Sequence, residues 1–172
     1  ESLGMICAED EIGVGTAHDG IIVLPEDAPV GQPASEYYQL DSDWLIDIDI
    51  TANRADALSH YGVARDLYAW LTQNGYETSL HRPSCDAFKV DNHDLPIDVT
   101  IENTDACRRY ACLSITDCEV KESPQWLKDK LNIIGLRPIN NIVDITNYIM
   151  MAYGQPMHCF DADMVKGHHI IV

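Results

Sequence analysis

The first half of the chain contains two strand patterns and one helix pattern. Residues 20–25 form a short apolar run closed by proline, which predicts a strand. Residues 45–50 alternate between apolar side chains and aspartate, which is typical of a strand with one side facing solvent. Across residues 58–71, apolar or small residues recur at steps of three and four, which predicts a helix that stops at Gly75. Asp56 and Ser59 are both suitable N-caps for this helix, and the sequence does not choose between them.

Further strands and helices are predicted in the second half. Alternation predicts strands over 97–101 and 110–120, and an apolar stretch predicts a last strand over 168–172. One helix is predicted to begin at an N-cap serine followed by proline and to end at a glycine, over residues 123–135. A second, largely buried helix is predicted from the asparagine pair at 140–141 to about residue 152.

The order of these elements favours the α+β fold class, with mixed sheets and packed helices, because strands and helices do not alternate regularly along the chain. Residues 81–95 have a linker-like composition, so we expect a domain boundary near residue 85. The chain does not begin with methionine and ends within a predicted strand. We therefore expect part of a longer, multi-domain protein.

The charge distribution limits how this chain can bind nucleic acid. The 172 residues carry 28 Asp+Glu against 11 Lys+Arg, a formal net charge of -17. Residues 1–50 contain twelve acidic residues and no Lys or Arg. Such a surface repels phosphate, so contact with nucleic acid is expected only through a small pocket or another part of an assembly.

Three classes of function are disfavoured by the sequence. The six cysteines form no C-x-x-C pair and the histidines are scattered, so no metal site is expected and the thiols should be reduced and mostly buried. No apolar run approaches the ~20 residues of a membrane span, and no membrane partner is expected. No P-loop or dinucleotide-binding motif is present.

Residues 137–161 have an unusual composition, because they place many polar side chains among strongly apolar ones. Buried polar groups cost free energy unless they are paired. The pattern therefore predicts either an internal hydrogen-bond network or a ligand site, and the sequence leaves both open. The polar residues concerned are Asn140, Asn141, Asp144, Thr146, Asn147, Gln155 and His158.

Three motifs resemble the β subunit of bacterial phenylalanyl-tRNA synthetase and occur in that family's order. They are Ser2-Leu-Gly-Met-Ile-Cys-Ala-Glu-Asp-Glu-Ile-Gly-Val, then Asp47-Ile-Asp-Ile-Thr-Ala-Asn-Arg-Ala-Asp-Ala-Leu-Ser with Tyr61-Gly-Val-Ala-Arg-Asp-Leu, and finally Arg137-Pro-Ile-Asn-Asn-Ile-Val-Asp-Ile-Thr-Asn-Tyr with Gly154-Gln-Pro-Met-His-Cys-Phe-Asp. The chain departs from the family pattern at Ala52, where proline is usual.

The resemblance implies an architecture and an activity. Residues 1–42 would be the C-terminal end of an OB-fold tRNA-binding module, 43–85 a small α+β domain and linker, and 86–172 the first part of the B3/4 editing domain. That domain hydrolyses tyrosine wrongly attached to tRNA(Phe). By resemblance the whole enzyme uses ATP and Mg, with the activation site on the α subunit, so no cofactor is expected in this segment. The expected partners are tRNA(Phe) and the α subunit, in a cytoplasmic α2β2 heterotetramer.

The resemblance also implies site residues. Thr146 and His158 match editing-pocket residues, with His158 orienting the ester end of the substrate or the attacking water, or acting as general base. Arg137, Asn141 and Gln155 are the further substrate-binding candidates. Arg137 and Asn141, together with Asn140, are alternatively structural supports. In the family, the residues that complete the pocket follow the position of Val172. The competing interpretation is a noncatalytic scaffold, or a binding module for tRNA or the α subunit.

Overall fold

A computed structural model of the protein describes residues 4–40 and 43–172 and divides the chain into two compact units, Glu1–Trp44 and Leu45–Val172. The expected boundary after residue 42 and the start of the motif at Ser2 lie outside the described residues. The first unit contains one short helix, α1 (Ala34–Tyr37). Elsewhere in this unit, Ala8 is buried and its N–H donates to the Glu11 carboxylate at 2.7 Å.

The predicted helix of the second unit is present as α2 (His60–Gln73). Ser59 is its N-cap, because the Ser59 hydroxyl oxygen accepts a 2.9 Å hydrogen bond from the Gly62 N–H. Gly75 follows the C-cap with φ +80°, a left-handed conformation that suits glycine. Both ends of this helix are therefore set by local sequence, and the choice between the two candidate caps falls on Ser59.

The helix predicted over residues 123–135 is α3 (Gln125–Ile133), but its start differs from the prediction. Pro124 occupies the N-cap position, and no side chain caps the helix. The prediction that Ser123 is the cap was wrong because its buried hydroxyl donates instead to Asp144. Leu127 and Leu131 are almost fully buried, and α3 packs against the next helix.

That next helix is α4 (Asn141–Tyr153), close to the predicted bounds. The Asn140 side-chain oxygen accepts hydrogen bonds from the N–H groups of Ile142 at 3.1 Å and Val143 at 3.0 Å. Gly154 ends the helix with φ +77°. Most of α4 is only half-buried, and Ile145 is exposed, so the expectation of a largely buried helix was wrong.

Two short strands form a parallel pair, β1 (Asp98–Thr100) and β2 (His169–Ile171), with Val99 opposite Ile170. The α+β prediction is confirmed, and the described sheet is purely parallel. The strands predicted over 20–25, 45–50 and 110–120 are absent from the described residues. In all three segments the backbone has no strand partner in the described part of the chain, and a strand exists only by pairing.

None of the described helices is both long and apolar enough to cross a membrane.

Candidate functional site

A buried carboxylate lies at the centre of the polar stretch singled out in the sequence. Asp144 is 0% exposed, and its Oδ2 accepts a 2.5 Å hydrogen bond from the Ser123 hydroxyl. Its Oδ1 accepts a 2.9 Å bond from the Ile139 N–H. Hydrogen bonds to a charged acceptor are roughly twice as strong as neutral ones, which compensates for removing the carboxylate from water. Asp144 thus joins the residues before α3, the residues before α4 and α4 itself.

Asn141 uses its polar groups to hold the segment before α3. Its backbone N–H donates to the Lys121 carbonyl at 2.9 Å, while its side-chain oxygen accepts from the Lys121 N–H at 3.0 Å. The Asn141 side-chain amide donates to the Glu119 carbonyl at 2.9 Å. Both the oxygen and the nitrogen of the Asn141 side-chain amide are therefore hydrogen-bonded to backbone atoms. This geometry fits the structural role considered for Asn141 in the sequence.

Thr146 lies half-buried on α4, six residues after the N-cap Asn140. Its hydroxyl donates a 2.7 Å hydrogen bond to the Val143 carbonyl of its own helix, a common arrangement for threonine in helices. The hydroxyl oxygen keeps a lone pair that can accept a hydrogen bond from a substrate. The Thr146 hydroxyl is therefore fixed in orientation, and its oxygen can still act as a hydrogen-bond acceptor in a pocket.

Arg137, Gln155 and His158 all lie at the surface. The Gln155 amide donates to the Pro156 carbonyl at 3.1 Å. The His158 ring lies 6.4 Å from that of Phe160, tilted by 32°, and within the described residues the imidazole forms no hydrogen bond. Arg137 makes no ion pair within the same residues. These three polar side chains are accessible to a substrate.

The candidate residues share a region of the chain without forming one hydrogen-bonded cluster. Asn141 and Thr146 lie on α4, and the segment with Gln155 and His158 follows the same helix. In residues 4–40 and 43–172, no hydrogen bond joins any two of the five candidate side chains. Two depressions, of about 300 and 250 Å³, lie elsewhere and contain none of the candidates.

A contact between the beginning of α2 and the end of α4 was not predicted from the sequence. The His60 Nδ1 lies 3.0 Å from the Met151 carbonyl oxygen. The partners are 91 positions apart, so no local pattern reveals this contact. Two other pairs lie beside this bond, Tyr61 with Tyr153 and Ser59 with Gly154. We call these three pairs of residues together the α2–α4 contact.

An ion-pair group fixes the turn before α2. Arg54 forms hydrogen bonds of 2.9 Å with Asp56 and 2.7 Å with Asp66, and Arg65 lies 3.1 Å from Asp56. The Arg54 guanidinium, through its hydrogen bond, holds the pKa of Asp56 below its usual value. These side chains are exposed, so their contribution is screened by water and salt.

The described residues contain no group of three or more His, Cys, Asp or Glu side chains arranged to hold a metal ion. The free cysteines include four exposed ones, Cys85, Cys112, Cys118 and Cys159, so the expectation of mostly buried thiols was wrong.

Comparison with known proteins places this region in context. The B3/4 domain family matches residues 106–172. All 172 residues align with the phenylalanine--tRNA ligase beta subunit of Bacteroides fragilis at 66% identity and with that of Porphyromonas gingivalis at 55%. The subunit of Dehalococcoides mccartyi is 44% identical over 174 residues. The chain spans 21% of the length of the first two relatives and 20% of the third.

Proposed function

This chain belongs to the phenylalanine--tRNA ligase beta subunit family, and from that premise we propose that it forms part of an enzyme that attaches phenylalanine to tRNA(Phe). We further propose that residues 106–172 contribute to hydrolysis of tyrosine wrongly attached to that tRNA. The observation that carries the second proposal is the position of His158. This exposed imidazole lies within the residues that match the B3/4 family and follows a helix held by the buried Asp144.

There is a clear physical reason for selecting tyrosine at an editing site separate from the activation site. Tyrosine exceeds phenylalanine by one hydroxyl, and an apolar activation pocket rejects an added hydroxyl only weakly, by about 100-fold. A pocket that hydrogen-bonds the phenol reverses this preference, because phenylalanine would leave the polar groups of the pocket unpaired. Thr146 shapes this pocket or contributes a hydrogen bond, in keeping with its fixed hydroxyl.

The hydrolytic step is attack of water on the carbonyl carbon of the ester that joins tyrosine to the terminal ribose. The acyl–oxygen bond breaks, tyrosine leaves as the free acid and the ribose hydroxyl is restored. His158 orients the ester or the water, and a neutral imidazole can also accept a proton from the water. Arg137 and Gln155 are accessible enough to contact the substrate. Asn141 acts as a support, because its amide holds the backbone of residues 119–121.

The remaining assignments concern the whole enzyme. We propose that ATP and Mg act on the α subunit, that the assembly is an α2β2 heterotetramer bound to tRNA(Phe), and that it works in the cytoplasm.

Accumulation of the wrong product tests the proposed function. The intact two-subunit enzyme is supplied with tRNA(Phe), ATP and tyrosine, and tyrosyl-tRNA(Phe) is followed over time. His158→Ala should accumulate this product, whereas wild type and His93→Ala should keep it low. His93 is a matched control because it is exposed in the segment before β1. Equal, low accumulation in all three enzymes would overturn the editing assignment.

A noncatalytic scaffold is the second candidate, and one observation favours it. Asn140, Asn141, Asp144 and Thr146 all direct polar atoms at the protein's own chain, as a purely structural network would. Under this alternative, His158→Ala would leave tyrosyl-tRNA(Phe) hydrolysis unchanged. The accumulation experiment therefore separates the two functions.

A further inference from the structure

We propose that the N-terminal end of α2 positions the segment that carries His158, which makes His60 a positioning residue for the deacylation reaction. This inference rests on the proposed function, since it concerns the same histidine. It extends that function from residues 106–172, which match the B3/4 family, to a helix that precedes them in the chain.

The first observation is the hydrogen bond between His60 and Met151. Met151 lies in the last turn of α4, where carbonyl groups lack partners within the helix. A carbonyl oxygen only accepts, so the 3.0 Å contact requires that Nδ1 of His60 carry the proton and donate it. His60 is the first residue of α2, and it therefore connects the start of one helix to an open carbonyl at the end of the other.

The second observation is that Gly154 lies near the residues that precede α2. This residue has φ +77°, and a Cβ built there would lie 3.4 Å from the Ser59 Cβ and 3.6 Å from the Leu58 carbonyl oxygen. Ser59 has little freedom to move, because its hydroxyl caps α2 through the Gly62 N–H. The turn that ends α4 therefore lies beside Leu58 and Ser59, the residues that precede α2.

The third observation is an aromatic contact beside the hydrogen bond. The Tyr61 and Tyr153 rings lie 6.3 Å apart with a 42° tilt, within the range of favourable aromatic pairs. The N-cap residue Ser59 and the first two residues of α2 thus lie beside the last turn of α4 and its terminating glycine. Such a set of contacts restrains both the position and the direction in which the chain leaves α4.

The consequence for His158 follows from chain length. Only three residues separate Gly154 from His158, so their Cα atoms lie at most about 14 Å apart. Within the described residues the His158 imidazole has no hydrogen bond of its own to fix it. Its placement depends on the backbone that leaves Gly154, and that backbone is restrained by the α2–α4 contact. Displacement of a reacting group by about 1 Å can cost up to 100-fold in rate.

The experiment measures kcat and KM for hydrolysis of tyrosyl-tRNA(Phe) by the intact two-subunit enzyme. His60→Ala removes the donor, whereas His60→Asn retains an N–H near the position of Nδ1. His93→Ala is the matched control, and His158→Ala tests the underlying function in parallel. Phenylalanyl-tRNA formation and the thermal unfolding midpoint are recorded for every variant.

We expect His60→Ala to lower kcat about threefold to tenfold with KM unchanged, because orientation rather than binding is lost. His60→Asn should restore most of kcat, and His93→Ala should behave as wild type. The proposal is overturned if His60→Ala retains wild-type kcat while His158→Ala is impaired, an outcome that leaves the proposed function intact. It is also overturned if His60→Asn fails to rescue and both variants lower the unfolding midpoint, as a purely structural histidine would. If His158→Ala has no effect, both proposals fall.

Discussion

The Ser123 hydroxyl donates a 2.5 Å hydrogen bond to Oδ2 of Asp144, and both residues are buried although they are 21 positions apart. This bond connects the residue before the α3 cap to the first turn of α4. Leu127 and Leu131 of α3 are also buried, and α3 and α4 are in contact. The candidate residue Thr146 lies half a turn further along α4.

Removal of the buried Asp144 carboxylate should lower the local stability of α4. Asp144→Ala leaves the Ser123 hydroxyl and the Ile139 N–H without their acceptor, and each hydrogen bond to a charged group contributes roughly 1.5–3 kcal/mol. We expect the local stability of α4 to fall by about 3 kcal/mol, measured by amide hydrogen exchange in the intact enzyme. Asp91→Ala, at an exposed position, is the control. Unchanged protection of α4 in Asp144→Ala would contradict this account.

The N-cap of α4 should make a smaller contribution. Asn140→Ala removes the acceptor for two helix N–H groups and should cost about 1 kcal/mol in the protection of the first turn. Asn140→Asp keeps an acceptor and adds a negative charge at a helix N-terminus, so its protection should match that of wild type. The interpretation fails if the alanine and aspartate variants exchange alike.

Gly62 is required by close packing rather than by backbone conformation. A Cβ at this position would lie 2.4 Å from the Asp56 carbonyl oxygen and 2.7 Å from the Ala57 Cα, both of them backbone atoms. Gly62→Ala should therefore destabilise α2 by about 1–3 kcal/mol, despite the better helix propensity of alanine. Hydrogen exchange of α2 amides provides the measurement. Gly20→Ala is the matched control, because no atom lies within 4 Å of a Cβ built there. Increased protection in Gly62→Ala would be inconsistent with this packing.

The ion-pair group before α2 predicts a specific pH dependence. The hydrogen bond from Arg54 holds the pKa of Asp56 below its usual value, so the carboxylate contributes stability that is fully present above that usual value. This contribution should be lost as pH falls through the lowered pKa, with no change between pH 5 and 8. In Arg54→Gln, the Asp56 carboxyl should titrate at higher pH than in wild type, as followed by NMR of labelled aspartate. Lys128→Gln, which removes a different ion pair, should leave Asp56 unchanged. Identical Asp56 titration in the wild type and Arg54→Gln would refute the assignment.

The helices were largely predictable because their ends are encoded locally. Ser59 and Asn140 are side chains that satisfy the first N–H groups of a helix, and Gly75 and Gly154 adopt the left-handed conformation that ends one. Ser123 shows the limit of this reasoning. It has the residue type and position of a cap, but the buried Asp144 takes its hydroxyl, and no local pattern reveals that competition.

The strands and the site were less predictable because both depend on distant partners. Residues 110–120 have a strand pattern, yet no described segment pairs with them, and Leu113, Ile115 and Val120 are exposed. The unusual polar stretch was visible in the sequence, and the structure shows an internal network through Asp144 and Asn141. The α2–α4 contact was not visible, because His60 and Met151 are 91 positions apart.

The most direct test of the central claim is single-turnover hydrolysis of tyrosyl-tRNA(Phe) by the intact two-subunit enzyme, with wild type and His158→Ala compared. Phenylalanyl-tRNA formation by the same preparations serves as the folding control. The account predicts that hydrolysis falls at least about tenfold, equivalent to about 1.4 kcal/mol of activation free energy, while phenylalanyl-tRNA formation is retained. Hydrolysis at the wild-type rate by His158→Ala would contradict the claim and favour the scaffold alternative for this region.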